Sequence, residues 1–113
     1  MRINNLHLSD DAQADLAGIK SYIAKDLENP SVALSTVRNI TKDIRRLRKH
    51  SLIGASLSSI ADVESDYRFL ATGNYLTFYR VYGNDVYVDR VLYGRRDYLR
   101  ILFGDMQDEE TIE

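Results

Sequence analysis

The chain has no cysteine, no tryptophan, one proline and two histidines among its 113 residues. Without cysteine there is no disulfide, no thiolate nucleophile and no cysteine-held zinc or iron–sulfur site. The histidines, His7 and His50, have no carboxylate partner at metal-ligand spacing, so no metal site is expected. No Gly-x-Ser-x-Gly turn, P-loop or Gly-x-Gly-x-x-Gly stretch occurs, which argues against serine-hydrolase and nucleotide chemistry; no cofactor is expected. Apolar runs stop at three residues, and no signal-peptide core follows Met1-Arg2-Ile3-Asn4-Asn5. Neither a membrane span, membrane contact nor secretion is therefore expected, and the chain reads as cytoplasmic.

What is present suits one folded domain. Hydrophobic residues make up 44% and charged residues 28%, enough apolar surface to build a core and too much for a disordered chain. The net charge of −2 conceals an asymmetry. Asp105, Asp108, Glu109, Glu110 and Glu113 crowd the last residues, leaving 15 bases against 12 acids on residues 1–103. The expected layout is one domain over residues 1–104 and an acidic, mobile tail at 105–113.

Residues 2–8 precede a helix start and read as a short first strand. Ser9 supplies a capping oxygen, and Asp10 and Asp11 place negative charge at the positive end of the helix dipole. Ala12, Leu16, Ile19 and Ile23 then recur at helical spacing, with Leu27 extending the stripe. At Asn29-Pro30 asparagine can cap, and proline fits the first helical position, whose N–H lacks a partner anyway. Ala33, Val37, Ile40, Ile44 and Leu47 form the second stripe, and the short connection makes the two helices an antiparallel hairpin. Arg38, Lys42, Arg45, Arg46, Arg48 and Lys49 cluster along this second helix, either as a solvated face or as a partner-binding surface.

The serine-rich stretch 50–66 has no sustained period and reads as a loop with a short extended piece. Gly73-Asn74 and Gly83-Asn84, flanked by aromatic and β-branched residues, signal glycine-first type II′ hairpins. They predict strands at 66–72, 75–82 and 85–92, pairing Thr72 with Tyr75 and Tyr82 with Asp85. Counting outward puts Phe69, Ala71, Leu76, Phe78 and Val91 on one face, the expected core. Arg68, Leu70, Tyr75, Thr77, Tyr79, Val88, Arg90 and Leu92 fall on the other, either a ligand surface or arginines stacked on tyrosines. A single core of Ile19, Ile23, Val37, Ile40, Ile44, Phe69, Phe78 and Val91 is expected. Arg95 to Phe103 predicts a short C-terminal helix ended by Gly104. The fold class is therefore α+β: a short N-terminal strand, a helical hairpin packed on a small, mostly antiparallel sheet with a three-stranded C-terminal meander, and a short C-terminal helix.

Chemistry concentrates in Arg90-Val91-Leu92-Tyr93-Gly94-Arg95-Arg96-Asp97-Tyr98. Arginines grip phosphates or acidic protein surfaces in bidentate fashion, and tyrosines stack on bases or donate a hydroxyl. Spacing leaves RNA and protein open as the ligand.

Residues 1 to about 103 resemble the RelE/ParE superfamily of toxins from bacterial type II toxin–antitoxin modules. The likeness rests on Leu8-Ser9 with Ala12, Asp15-Leu16, Ile19 and Tyr22-Ile23; on Asn29-Pro30 with Ala33; on Tyr67-Arg68, Gly73-Asn74-Tyr75 and Phe78-Tyr79-Arg80-Val81; and above all on the strand running into Gly94-Arg95-Arg96-Asp97. The resemblance implies a cognate acidic antitoxin wrapped on the toxin, with operator DNA reached only through that antitoxin. It also implies one of two targets. A RelE-like protein would cut mRNA on the ribosome as a metal-independent endoribonuclease, with Arg68, Arg96, Tyr98 and Tyr93 as the catalytic candidates. Here Tyr93 stands where some relatives carry histidine, and Leu76 where that branch tends to carry arginine, which a leucine cannot replace at a phosphorane. A ParE-like protein would poison DNA gyrase through a protein contact, with Arg90, Arg95, Arg96 and Arg100 as the target-binding candidates. Phe78-Tyr79-Arg80-Val81 and Arg90-Val91-Leu92 followed by Arg95-Arg96-Asp97 favour the ParE branch. A non-toxic binding module or co-repressor acting with an antitoxin is the third reading. The residues that bind the antitoxin are not marked in the sequence.

Overall fold

Ser9 sets the first boundary of the chain. In a computed structural model that describes residues 3–104, strand β1 (Asn5–Leu8) stops at this residue, whose backbone is extended and whose hydroxyl accepts from Ala12 N–H at 2.9 Å. The same hydroxyl donates to the Asp89 carbonyl at 2.7 Å. Helix α1 (Asp10–Ser21) continues into a π-helical turn, Tyr22–Asp26. Glu28, with φ at 52°, reverses the chain, and Asn29 caps helix α2 (Pro30–Arg45) by accepting from Val32 N–H, with Pro30 in its first turn as expected. A 3₁₀ turn, Arg46–Arg48, closes it. The predicted stripes face inward: Ala12, Ile23, Ala33, Ile40, Ile44 and Leu47 are buried, and Leu16 and Ile19 pack beside them. Val37 is only half-buried, and Leu27 leaves the stripe for solvent because the wider π turn rotates it off the helix face. The acidic segment expected at 105–113 lies outside the described residues.

The remaining strands are β2 (Ala55–Ser56), β3 (Arg68–Thr72), β4 (Tyr75–Tyr82) and β5 (Asp85–Tyr93). They form a five-stranded sheet in the order β1-β5-β4-β3-β2, with β1 parallel to β5 and every other neighbour antiparallel. The meander is thus extended by one strand on each side. Both hairpin turns are as expected: Gly73 and Gly83 have φ near +60°, the following asparagines do not, and Thr72 faces Tyr75 as Tyr82 faces Asp85.

The expected faces, by contrast, need correction. Phe78 pairs with Arg90 but the next residue, Tyr79, pairs with Val88, so Asp89 is an extra residue in β5, a β-bulge. The inserted residue changes the parity beyond it. Val91 joins Leu70, Tyr79, Val86 and Val88 beneath the helices, while Leu92 joins Phe78 and Leu57 on the opposite face. Tyr79, on the face read as either a ligand surface or arginines stacked on tyrosines, is fully buried, and Gly54 N–H donates to its hydroxyl at 2.9 Å. A side chain at Gly54 would collide with that hydroxyl, its Cβ only 2.6 Å away.

Two cores result rather than one. Helix α3 (Tyr98–Phe103) covers the second face, packing Tyr98, Leu99, Leu102 and Phe103 against Phe78, Leu92 and Leu57. Truncating fully buried Phe78 or Ile40 to alanine costs about 2–5 kcal/mol at either core, since each leaves a cavity. The final helix starts later than the sequence suggests: Asp97 caps it, and Arg95 and Arg96 occupy the preceding turn. Gly104, at φ 78°, ends it.

Candidate functional site

The arginines of the strands are spent on the fold. Arg90 donates through Nε and Nη2 to the two carboxylate oxygens of Asp15, each at 2.8 Å, and Val91 N–H donates to Asp15 Oδ2 at 2.9 Å. One α1 carboxylate therefore fastens the helix to β5 immediately after the bulge. That hydrogen bonding raises the Arg90 pKa above its ordinary value. Arg68 donates through Nε to the Gly54 carbonyl at 3.1 Å and through Nη2 to that of Leu52 at 3.2 Å, pinning the 50–56 segment to β3.

Arg80 belongs to a cluster that sequence reasoning missed. Its Nη2 lies 2.9 Å from Asp89 Oδ2, and its guanidinium sits over the Tyr67 ring at 5.3 Å. The Tyr67 hydroxyl donates to the same Asp89 oxygen at 2.7 Å. Burial, reinforced by the hydrogen bond to Asp89, pushes the Tyr67 phenol up to about 12. The bulge gives this cluster its place, since Asp89 is the inserted residue. Asp15 was equally invisible as a partner, because 75 residues separate it from Arg90.

Arg96 and Tyr93 meet elsewhere, in a half-open groove of about 820 Å³ between the turn of the helical hairpin and the ends of β4 and β5. Tyr22, Leu27 and Val32, all exposed, supply one wall. Tyr75 and Tyr93, whose rings meet edge to face at 5.8 Å, supply the other. Burial, then the neighbouring Tyr93, raises the Tyr75 pKa. Arg96 and Asn74 complete the rim. Arg95 and Arg96 are exposed, and neither forms an ion pair with a carboxylate among the described residues.

The four catalytic candidates are not gathered at one point. Arg96 and Tyr93 line the groove, Arg68 stands at the opposite end of β3 from the Thr72–Tyr75 turn, and the Tyr98 ring lies against Phe78 in the α3 core, centroids 5.2 Å apart. Of the target-binding candidates, Arg95, Arg96 and Arg100 are exposed, whereas Arg90 is clamped by Asp15. Among the described residues no group of three or more histidine, aspartate or glutamate side chains could hold a metal ion. Among them, too, no helix is long and apolar enough to cross a membrane.

A family model described as the ParE toxin of the type II toxin–antitoxin system parDE matches residues 6–98, from β1 to the first residue of α3. The chain belongs to the ParE toxin family. No curated protein matches it in sequence. Among solved structures it is similar to a chain of a chromosomal ParDE toxin–antitoxin system from P. aeruginosa, at 24% identity and a TM-score of 0.67, covering 80% of this chain and 96% of that one. It is also similar to a chain of the RelBE2 toxin–antitoxin complex from Mycobacterium tuberculosis, at 18% identity and a TM-score of 0.53, covering 82% and 93%. These likenesses show a shared fold. As a ParE-family toxin, the chain sits in the RelE/ParE superfamily, and the family match takes in the Arg95-Arg96 turn as well as every strand.

Proposed function

We propose that this ParE-family toxin arrests growth by inhibiting DNA gyrase through a protein contact made by the Arg95-Arg96 turn, and that a cognate acidic antitoxin neutralises it by laying the apolar side of an amphipathic segment into the neighbouring groove. The observation that carries this reading is the division among the arginines. A nuclease would need Arg68 and Tyr98 aimed with Arg96 at one phosphate, yet Arg68 is committed to two loop carbonyls and the Tyr98 ring to a core contact. Arg95 and Arg96 project from the surface beside exposed Tyr93, a combination suited to gripping a carboxylate on a protein. Exposed Tyr22, Leu27 and Val32 give the antitoxin an apolar seat, and the arginine rim attracts its acidic residues.

Growth arrest in cells, combined with a supercoiling assay on purified protein and primer-extension mapping of mRNA ends, tests the proposal. Tyr98→Phe keeps the ring and removes only a hydroxyl, so it remains toxic. Arg96→Glu relieves arrest and restores supercoiling. Ribosome-dependent mRNA cuts that vanish in Tyr98→Phe, with supercoiling untouched, overturn the gyrase reading in favour of ribonuclease action. Absence of any growth effect from the wild-type chain returns the binding-module reading.

A further inference from the structure

Helix α2 carries a charged stripe that neither the groove nor the strand arginines use. Residues 38–49 hold six cationic side chains and a single carboxylate, Asp43. Ile40, Ile44 and Leu47 are buried against the sheet, so Arg38, Lys42, Arg45 and Lys49, spaced four, three and four apart, run along the outer side of α2 and the turn that closes it. All four are exposed, as are Arg46 and Arg48. Asp43 is engaged already, accepting from the Thr72 hydroxyl at 2.6 Å and standing 3.6 Å from Arg46. Among the described residues no carboxylate pairs with Arg38, Lys42, Arg45, Arg48 or Lys49.

Two physical points weigh on what such a stripe is for. Cations in the last turn suit the helix dipole, which accounts for Lys42 and Arg45, but Arg38 lies too far back to gain from it and is repelled by Lys42 at i, i+4 spacing. The fold tolerates that repulsion without an internal counter-charge. The stripe is also wholly polar: between residues 38 and 49 no exposed side chain is apolar. A protein interface is anchored at its centre by apolar and aromatic residues and is depleted in lysine, whereas exposed apolar residues here, Leu34 and Leu52, lie only beyond the two ends of the stripe, so an acidic protein segment would find charge along it without a central hold. A polyphosphate needs no apolar anchor. Over roughly 16 Å, at about 1.5 Å per residue, the stripe spans several phosphates of a nucleic acid strand.

We propose that this stripe binds nucleic acid through the sugar–phosphate backbone, without reading bases. The family resemblance reaches DNA only through the antitoxin; the stripe gives the toxin chain a contact of its own. The inference does not depend on which target is poisoned, since gyrase works on DNA and the ribosome on RNA.

The test is fluorescence anisotropy of the purified full chain with labelled duplex DNA and single-stranded RNA of unrelated sequences, over about 50–200 mM salt. Binding is expected with a log–log salt slope of about −0.9 per duplex phosphate engaged and about −0.7 on single strands. Lys42→Gln/Arg45→Gln/Lys49→Gln weakens binding at the lowest salt at least about tenfold and flattens the duplex slope by about 0.9 per cation removed; Lys42→Gln alone flattens it by about 0.9. Thermal melts shift by only a few degrees, because the altered side chains are exposed, form no ion pair among the described residues and lose at most a helix-dipole contribution of about 0.3–1 kcal/mol each. Arg95→Gln/Arg96→Gln, which removes two exposed cations from the turn after β5, weakens binding far less. The arm with tighter binding, duplex or RNA, identifies the source of the phosphates. Absence of salt-dependent binding in both arms, an equal effect of the Arg95/Arg96 pair, or tighter binding of poly-glutamate than of either oligonucleotide overturns the proposal.

Discussion

The arginines of the sheet and the arginines just beyond it differ in what they are available to do. Arg68, Arg80 and Arg90 each have hydrogen-bonding partners within the fold: loop carbonyls, the bulge carboxylate and an α1 carboxylate. Arg95 and Arg96, a few residues further along the same chain, have no ion-pair partner among the described residues. The residue type is the same; position relative to the end of β5 decides. A strand places its side chains against neighbouring elements, whereas a turn points them outward. Arginine content alone therefore overstates the size of a binding surface, and the partner of each guanidinium has to be found before it is counted.

The contrast breaks most visibly at Asp15. Asp15→Ala removes three hydrogen bonds and leaves Arg90, only 25% exposed in its side chain, without a counter-charge. Urea unfolding should show a loss of about 3 kcal/mol. Arg68→Ala, which leaves the carbonyls of Leu52 and of buried Gly54 without this donor, should cost about 1–2 kcal/mol by the same measurement. Tyr67→Phe removes the hydrogen bond to Asp89 for about 1 kcal/mol near neutral pH. Its pH dependence is more telling. The folded-state pKa lies above the unfolded value of 10.0, so the neutral phenol's contribution is fully present below pH 10.0 and is lost as pH rises through about 12. Melting temperatures of wild type and Tyr67→Phe should therefore converge between those limits. Smallest of all, Arg96→Ala should shift stability by less than about 0.5 kcal/mol while weakening toxicity, as expected of an exposed side chain that acts outside the fold. If Arg96→Ala destabilised as much as Asp15→Ala, the division between structural and available arginines would fail.

Local chemistry made much of the fold legible. The Ser9 and Asn29-Pro30 caps and the two glycine-first turns are each decided within four residues, so the helices, the β3–β4 register and the β4–β5 register between its turn and the bulge followed from the sequence. The bulge at Asp89 has no such signal: no glycine marks it, and the alternation on either side looks regular. Its partners are Ser9, Tyr67 and Arg80, distant in sequence and gathered only by the fold. Missing it exchanged the faces of Val91 and Leu92 and merged two cores into one. The groove was half visible. Arg96 and Tyr93 belong to a stretch whose composition attracts attention, but Tyr22, Leu27 and Val32 read as ordinary helix-stripe residues or their neighbours until the π turn exposes Leu27 and opens the wall.

The pairing of β1 with β5 fixes the order in which this protein can come into being. The first strand hydrogen-bonds to the last, Asn5 opposite Asp85, and α1 waits for Arg90 to complete its anchor. During synthesis at roughly 5–20 residues per second, the N-terminal strand spends about 4–16 s without its partner. Through that interval the helical hairpin has no complete sheet to cover, so its apolar stripe stays uncovered. The groove and the arginine turn are assembled only when the end of β5 has been made. A chain cut short before residue 90 lacks the Asp15–Arg90 anchor and the end of β5, so neither the groove nor the arginine turn exists until nearly all of the described fold has been made.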